Sequence, residues 1–158
     1  MKKLLCLLAV TWAFGALAQV VSVDEWEVMP SYLPTNIDVF PTWPGCESIS
    51  DSDSIESCFT ESLKAFLLHE FQLPATTRNL GIHGKVWVGF IIEEDGTLGP
   101  VTLLKPLESY VDNEVIRVVQ QLPPMARPGY FKDKPVTVRF SVPINVQLNT
   151  PTAADAQP

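Results

Sequence analysis

The sequence predicts an α+β fold: a small antiparallel β-sheet, made of a hairpin and a C-terminal edge strand, with two helices packed on it. Three observations lead there. Two stretches place apolar residues at intervals of three and four, the period of a helix with one buried face. A central stretch alternates apolar and polar residues on either side of an Asp-Gly turn signal. The last regular stretch alternates over the 13 residues from Val136 to Leu148, the period of a half-buried strand.

Length and composition set the frame for these elements. A chain of 158 residues, 46% hydrophobic and 18% charged, suits one globular domain with some tail. The first stretch, "MKKLLCLLAVTWAFGALAQ", has two lysines, an apolar run from Leu4 to Ala18, and small residues at Ala16 and Ala18. That is the layout of a secretory signal peptide over residues 1–18, cleaved before Gln19. The rival is an uncleaved anchor, although the apolar run falls short of the roughly 20 residues that span a bilayer. Loss of Lys2 and Lys3 takes the formal charge from −7 to −9, which argues against nucleic acid as a partner.

Cys6 leaves with the leader, so an exported chain keeps Cys46 and Cys58. An even count in an oxidising compartment favours a disulfide between them, stapling a loop to a helix start. The sharper alternative is a redox or metal role. It lacks a C-x-x-C spacing, and the two histidines, His69 and His83, have no ligand spacing.

Residues 19–45 carry Pro30, Pro34, Pro41 and Pro44, and read as an extended arm that is neither helix nor ladder strand. The domain proper then covers 46–148. Its first helix spans Ile55–Phe71, with Phe59, Leu63, Phe66, Leu67 and Phe71 on one face, Ser54 or Ser57 as cap, and Pro74 as the stop. In the hairpin, Val86, Val88, Phe90 and Ile92 alternate with Lys85, Trp87, Gly89, Ile91 and Glu93; Asp95-Gly96 turns the chain, and Val101 and Leu103 belong to the return strand. The second helix spans Ser109–Leu122, where "SYVD" suggests a capping box, Val111, Val115, Val118, Val119 and Leu122 form the apolar stripe, and Pro123-Pro124 ends it. In the last strand Val136, Val138, Phe140, Val142, Ile144, Val146 and Leu148 alternate with Thr137, Arg139, Ser141, Pro143, Asn145 and Gln147. Pro143 has no N–H for a ladder, which places this strand at a sheet edge or bends it there. Residues 149–158, "NTPTAADAQP", read as a disordered tail.

Nothing in the pattern calls for catalysis or a cofactor. Glu93, Glu94 and Asp95 cluster at a turn, where charge is ordinarily solvated. His83 lies between Gly81 and Gly84 at a strand entrance, and no serine or cysteine has an evident base; there is no phosphate loop, nucleotide fingerprint or metal pattern. Arg139 reads first as a solubilising charge on an edge and second as a ligand contact. Trp87 and Ile91, on the hairpin's mixed face, read first as packing under the arm, against Phe40 and Trp43, and second as lining a partner site. Arg117 and Arg127 read as surface charges.

The runs "PTWPGCE", "CF", "LPATTRNLGIHGKVWVGFIIEEDGTLGPVTLLKP", "YVDNEVIRVVQQLPPMARPG" and "KPVTVRFSVPINVQL" carry a family resemblance. From Pro41 to Leu148 the chain resembles the C-terminal domain of TonB-type energy transducers, in the disulfide-containing variety. The G-I-x-G-x-V, the D-G turn, the D-x-E helix start, P-G, K-P-V and V-P-I come in that family's order. Two positions depart from its pattern, Val115 for alanine and Asp133 for glycine.

The resemblance implies a periplasmic domain that binds outer-membrane receptors. A short peptide of the receptor's N-terminal region pairs with the terminal strand, and inner-membrane motor proteins act through the domain indirectly. Carried onto this chain, the partner-binding residues are Val136, Val138, Arg139, Phe140, Ser141, Val142, Pro143, Ile144, Asn145 and Val146. The family's transducers also have an anchor and a long Pro-rich spacer. Here the 22 residues from Gln19 to Phe40 reach at most about 75 Å. Two functional readings therefore stand: a receptor-binding domain in energy-coupled transport across the outer membrane, and a soluble periplasmic adaptor or self-associating homodimer that transmits no force.

Overall fold

The structure, a computed structural model, describes the backbone of residues 20–22 together with residues 37–74, 77 and 81–147. The expected leader (1–18) and tail (149–158) lie outside the described residues, as do arm residues 23–36 and Leu148. In chain order the elements are β1 (Val20–Ser22), α1 (Ser52–Glu70), β2 (His83–Ile92), β3 (Leu98–Lys105), α2 (Ser109–Val119), β4 (Gly129–Phe131), β5 (Lys134–Val136) and β6 (Val138–Gln147). Four antiparallel strands form the main sheet in the order β1-β6-β2-β3, and β4 and β5 form a separate two-stranded sheet. The fold class is the one read from the sequence.

α1 begins three residues before the apolar stripe because Asp51 is its cap, not Ser54 or Ser57. The Asp51 carboxylate accepts from the Ser54 N–H at 3.0 Å and the Ser54 hydroxyl at 2.8 Å, satisfying a donor that a helix start leaves unpaired. Those hydrogen bonds hold the Asp51 carboxyl below its ordinary pKa. Ile55, Phe59, Leu63 and Leu67 form its buried face. α2 buries Val111, Val115, Val118 and Val119. The capping box does not form: Ser109 lies inside the helix and Glu108 makes no side-chain cap, while Asp112 reaches back to the Leu107 N–H at 2.9 Å. The helix ends at Val119, and tighter bonds from Gln121 to Val118 and from Leu122 to Val119 carry the chain to Pro123.

The β2–β3 hairpin turns where Asp95-Gly96 predicts. Gly96 takes φ +84° and donates to the Glu93 carbonyl, Glu93 donates to Thr97 O, and the Asp95 carboxylate accepts from both the N–H and hydroxyl of Thr97. Between β4 and β5, Lys132 and Asp133 lie at φ 49° and 60°, so Asp133 adopts the left-handed conformation open to aspartate where the family pattern has glycine. The Asp38 carboxylate holds this turn by accepting from the Lys132 N–H at 2.6 Å.

Two strand readings change. The alternation from Val136 to Leu148 is not one strand: Val136 ends β5 opposite Gly129, and β6 begins after Thr137. The β4–β5 hairpin already occupies Val136, and the chain must change sheets to reach β2. The arm also contains ladder pairing, since Val20–Ser22 pairs with Gln147–Asn145.

The helices and one sheet face enclose the core. Phe140 of β6 lies between Phe59 of α1 (4.9 Å between ring centroids, 25° between planes) and Phe90 of β2 (5.2 Å, 20°), near-parallel stacks within the favourable range. Phe40 and Trp43 do not cover Trp87 and Ile91 as expected. They pack on the helix side, 6.1 Å and 5.9 Å from Phe59, and Trp43 also meets Phe66 at 6.0 Å. Apolar burial between α1 and the sheet outweighs what a half-polar outer face offers. Backbone bonds joining Asp38, Val39 and Thr42 to residues 126–130 seat this end of the arm. The Cys46–Cys58 disulfide then joins the loop to α1, with Cα atoms 6.4 Å apart.

Arg117 and Glu114 connect the helices, so Arg117 is more than a surface charge. Arg117 donates to the Glu70 carbonyl (2.8 Å) and to both Glu114 oxygens, while Glu114 accepts the Gln72 N–H at 2.6 Å. Burial pushes the Glu114 carboxyl up, but the bonds from Arg117 and Gln72 outweigh it and hold the pKa below the ordinary glutamate value.

Replacing both Cys46 and Cys58 by serine should lower the unfolding free energy by about 2–4 kcal/mol in urea titrations, because the unfolded chain regains loop entropy. Glu114→Gln should cost about 1–2 kcal/mol at neutral pH. A carboxyl with a lowered folded pKa stabilises above its unfolded pKa and loses that contribution as pH falls through the folded value. The gap between Glu114→Gln and the parent in thermal unfolding should therefore close on acidification.

Candidate functional site: the outer edge of β6

β6 is defined first by its partner. It pairs with β2 along its whole length, from Val138 opposite Ile92 to Gln147 opposite His83. Val138, Phe140, Val142, Ile144 and Val146 point into the core, whereas Arg139, Ser141, Pro143, Asn145 and Gln147 lie on the other sheet face.

Pro143 fixes which way the backbone points. It has no N–H, yet pairing with β2 runs unbroken through it, opposite Trp87, so its nitrogen faces away from β2. The hairpin agrees: Glu93 donates to Thr97 on the β3 side, so odd-numbered amides of β2 face β3 and even-numbered ones face β6. The even-numbered amides of β6, Val142 included, are therefore spent on β2. The odd-numbered ones face outward.

β1 meets the far end of that outward edge, with Val20 opposite Gln147 and Ser22 opposite Asn145. Val138–Ile144 has no strand neighbour on this side among the described residues. In it the N–H of Arg139 and Ser141 and the carbonyls of Arg139, Ser141 and Pro143 face outward. That row of main-chain groups has the geometry for adding a strand.

Of the sequence-selected residues, the structure places nine along β6 and separates one. Val136 lies in β5. Asn145 and Val146 have strand partners on both sides. Ser141 is half-buried opposite Gly89, and Arg139 is exposed opposite Ile91. Sequence reasoning missed β1, because three residues are too short to show a period; the valine pair at Val20-Val21 is its one signal.

The other candidates do not converge on a chemical site. Glu93 accepts from the Thr137 hydroxyl at 3.1 Å, and Asp95 is lowered in pKa by the Thr97 hydroxyl and N–H within its own turn. His69 is exposed beside Glu70, and His83 Nδ1 lies 3.0 Å from the Gly81 carbonyl. Arg127 donates to the Glu47 carbonyl at 2.7 Å. Among the described residues no three metal-ligating side chains cluster, and no helix is long and apolar enough to cross a membrane.

The sequence profile described as "Gram-negative bacterial TonB protein C-terminal" matches residues 69–148, just over half of the chain. The chain belongs to the TonB C-terminal family. This family serves TonB-type energy-coupled transport in the cell envelope through protein–protein interaction rather than catalysis, and its domains interact with outer-membrane receptors. Two NMR structures of the Helicobacter pylori TonB C-terminal domain are similar. That of residues 194–285 is 20% identical, covering 58% of this chain and 95% of that one, with a TM-score of 0.45. That of residues 179–285 is 18% identical, covering 67% and 91%, with a TM-score of 0.46. No curated protein matches the chain.

The alternation along this TonB-family strand has a direct readout. The amides of Phe140 and Val142 should exchange with deuterium roughly tenfold or more slowly than that of Ser141. Equal protection at the three positions would contradict the assigned directions.

Proposed function

We propose that this domain captures an extended N-terminal peptide of an outer-membrane receptor as an added strand on β6, around Ser141, in energy-coupled transport across the outer membrane. The observation that supports the reading is the asymmetry of β6, paired with β2 along its whole length on one side and, among the described residues, with β1 over Asn145–Gln147 on the other. Backbone groups supply the attachment, and the side chains of the sheet's outer face, Trp87 and Ser141 among them, supply selectivity. The leader-like residues 1–18 support delivery to the periplasm.

The test separates the two edges of one strand. Ser141→Pro removes an outward N–H and leaves the β2 ladder intact. It should weaken capture of peptides from receptor N-termini by about tenfold, the equivalent of one lost hydrogen bond of about 1.4 kcal/mol, without changing the circular dichroism spectrum. Val142→Pro removes a bond to β2 and should unfold the domain instead. A folded Ser141→Pro that captures peptide as the parent does would remove β6 as the site.

A further inference from the structure

We infer that Cys58 is the sulfur through which a disulfide-donating protein, a thiol–disulfide oxidoreductase by its chemistry, oxidises this domain, and that Cys46 is the buried thiol that closes the bond. The domain is then the substrate of such a partner, and the two cysteines have different parts in the exchange.

Burial separates the two sulfurs. Cys46 is 2% exposed and lies in the core with Trp43, Phe59 and Leu63, whereas Cys58 is only partly buried, at the border of the buried face of α1. Ser54, Ser57 and Glu61, beside it or one turn away on the helix, are all exposed. Thiol–disulfide exchange needs direct contact between the reacting sulfurs, so access selects which one reacts. A partner reaches Cys58 from solvent. At Cys46 it would have to enter space that Trp43 and Phe59 fill.

Contacts that involve no sulfur bring the pair together. Thr42 donates to the Arg127 carbonyl at 2.9 Å, Ala126 donates to the Thr42 carbonyl at 2.8 Å, and the Cys46 N–H donates to the Trp43 carbonyl at 2.9 Å. Arg127 donates to the Glu47 carbonyl at 2.7 Å, and the hydroxyl of Ser52, at the start of α1, donates to the Asp38 carbonyl at 2.6 Å. The rings of Trp43, Phe59 and Phe66 join the loop to α1. These contacts hold Cys46 beside Cys58 independently of the bond, whose Cα atoms lie 6.4 Å apart, within the usual disulfide range.

Oxidation then takes two exchanges. The Cys58 thiolate attacks one sulfur of the partner's disulfide; a mixed S–S bond forms and the partner's other sulfur leaves as a thiolate. Cys46 loses its proton and attacks Cys58 Sγ; the intramolecular S–S bond forms and the partner's remaining sulfur leaves as a thiolate. Two cysteine thiols are oxidised, and the partner's disulfide is reduced to two thiols.

The experiment uses the whole chain with glutathione disulfide as the probe, on Cys46→Ser and Cys58→Ser, each of which keeps one thiol of the pair and so accumulates the adduct. Cleavage after Glu25, Glu47 and Glu56 puts Cys6, Cys46 and Cys58 on separate peptides for mass mapping. Cys58 in the first variant should be glutathionylated about tenfold or more faster than Cys46 in the second, and the two rates should converge in denaturing urea. Where a variant loses its thermal transition, the oxidised parent is treated with reduced glutathione and quenched with acid, and the trapped adduct should map to Cys58. Equal rates in the folded variants, faster reaction at Cys46, a difference undiminished in urea, or a trapped adduct on Cys46 would each overturn the assignment.

Discussion

The β2–β6 ladder is the constraint on which the rest of the domain depends. It joins residues far apart in sequence, from His83–Gln147 to Ile92–Val138. It also assigns every even-numbered amide of β6 to a partner inside the domain. A slip of one residue would turn Val138, Phe140, Val142, Ile144 and Val146 out of the core, so burial fixes the register as strongly as the hydrogen bonds do. Phe140, held between Phe59 and Phe90, ties that register to α1. Once register is fixed, so is the direction in which each remaining backbone group points.

A strand edge is hazardous for solubility, and several features of this chain blunt that hazard at once. Pro143 removes one outward donor, Arg139 places a charge on the adjoining face, and β1 covers the far end. On the opposite side of the sheet, β3 carries Gly99, Pro100 and Lys105, residues that discourage pairing with another chain. A net charge of −7 adds repulsion between copies.

The end of the arm and the start of α1 hold the surroundings of the edge in place. Phe40 and Trp43 complete the aromatic cluster, backbone bonds seat residues 38–42 on residues 126–130, and the Cys46–Cys58 disulfide closes the loop onto α1. These contacts lie near β4 and β5, where the chain leaves one sheet to enter the other. The hairpin tip is anchored as well, because Met125 donates to the Gly96 carbonyl at 2.8 Å.

By itself the sequence determined the element types, the α+β class and the buried faces. Periodicity is a local property, so Phe59, Leu63 and Leu67, Val111, Val115 and Val118, and the alternation of β6 were all legible. The turn at Asp95-Gly96 was legible because its chemistry lies within a few residues, and the cysteine pair because loss of the expected leader leaves an even count of two. The sequence did not determine where β6 begins, which side of the sheet receives Phe40 and Trp43, or that Val20–Ser22 joins the ladder. Those outcomes depend on which distant surface offers the larger burial or the unpaired backbone, and a one-dimensional pattern does not contain that comparison. Pro143 shows the division in one residue: its missing N–H was plain from the sequence, but only the paired structure says that the missing donor faces outward.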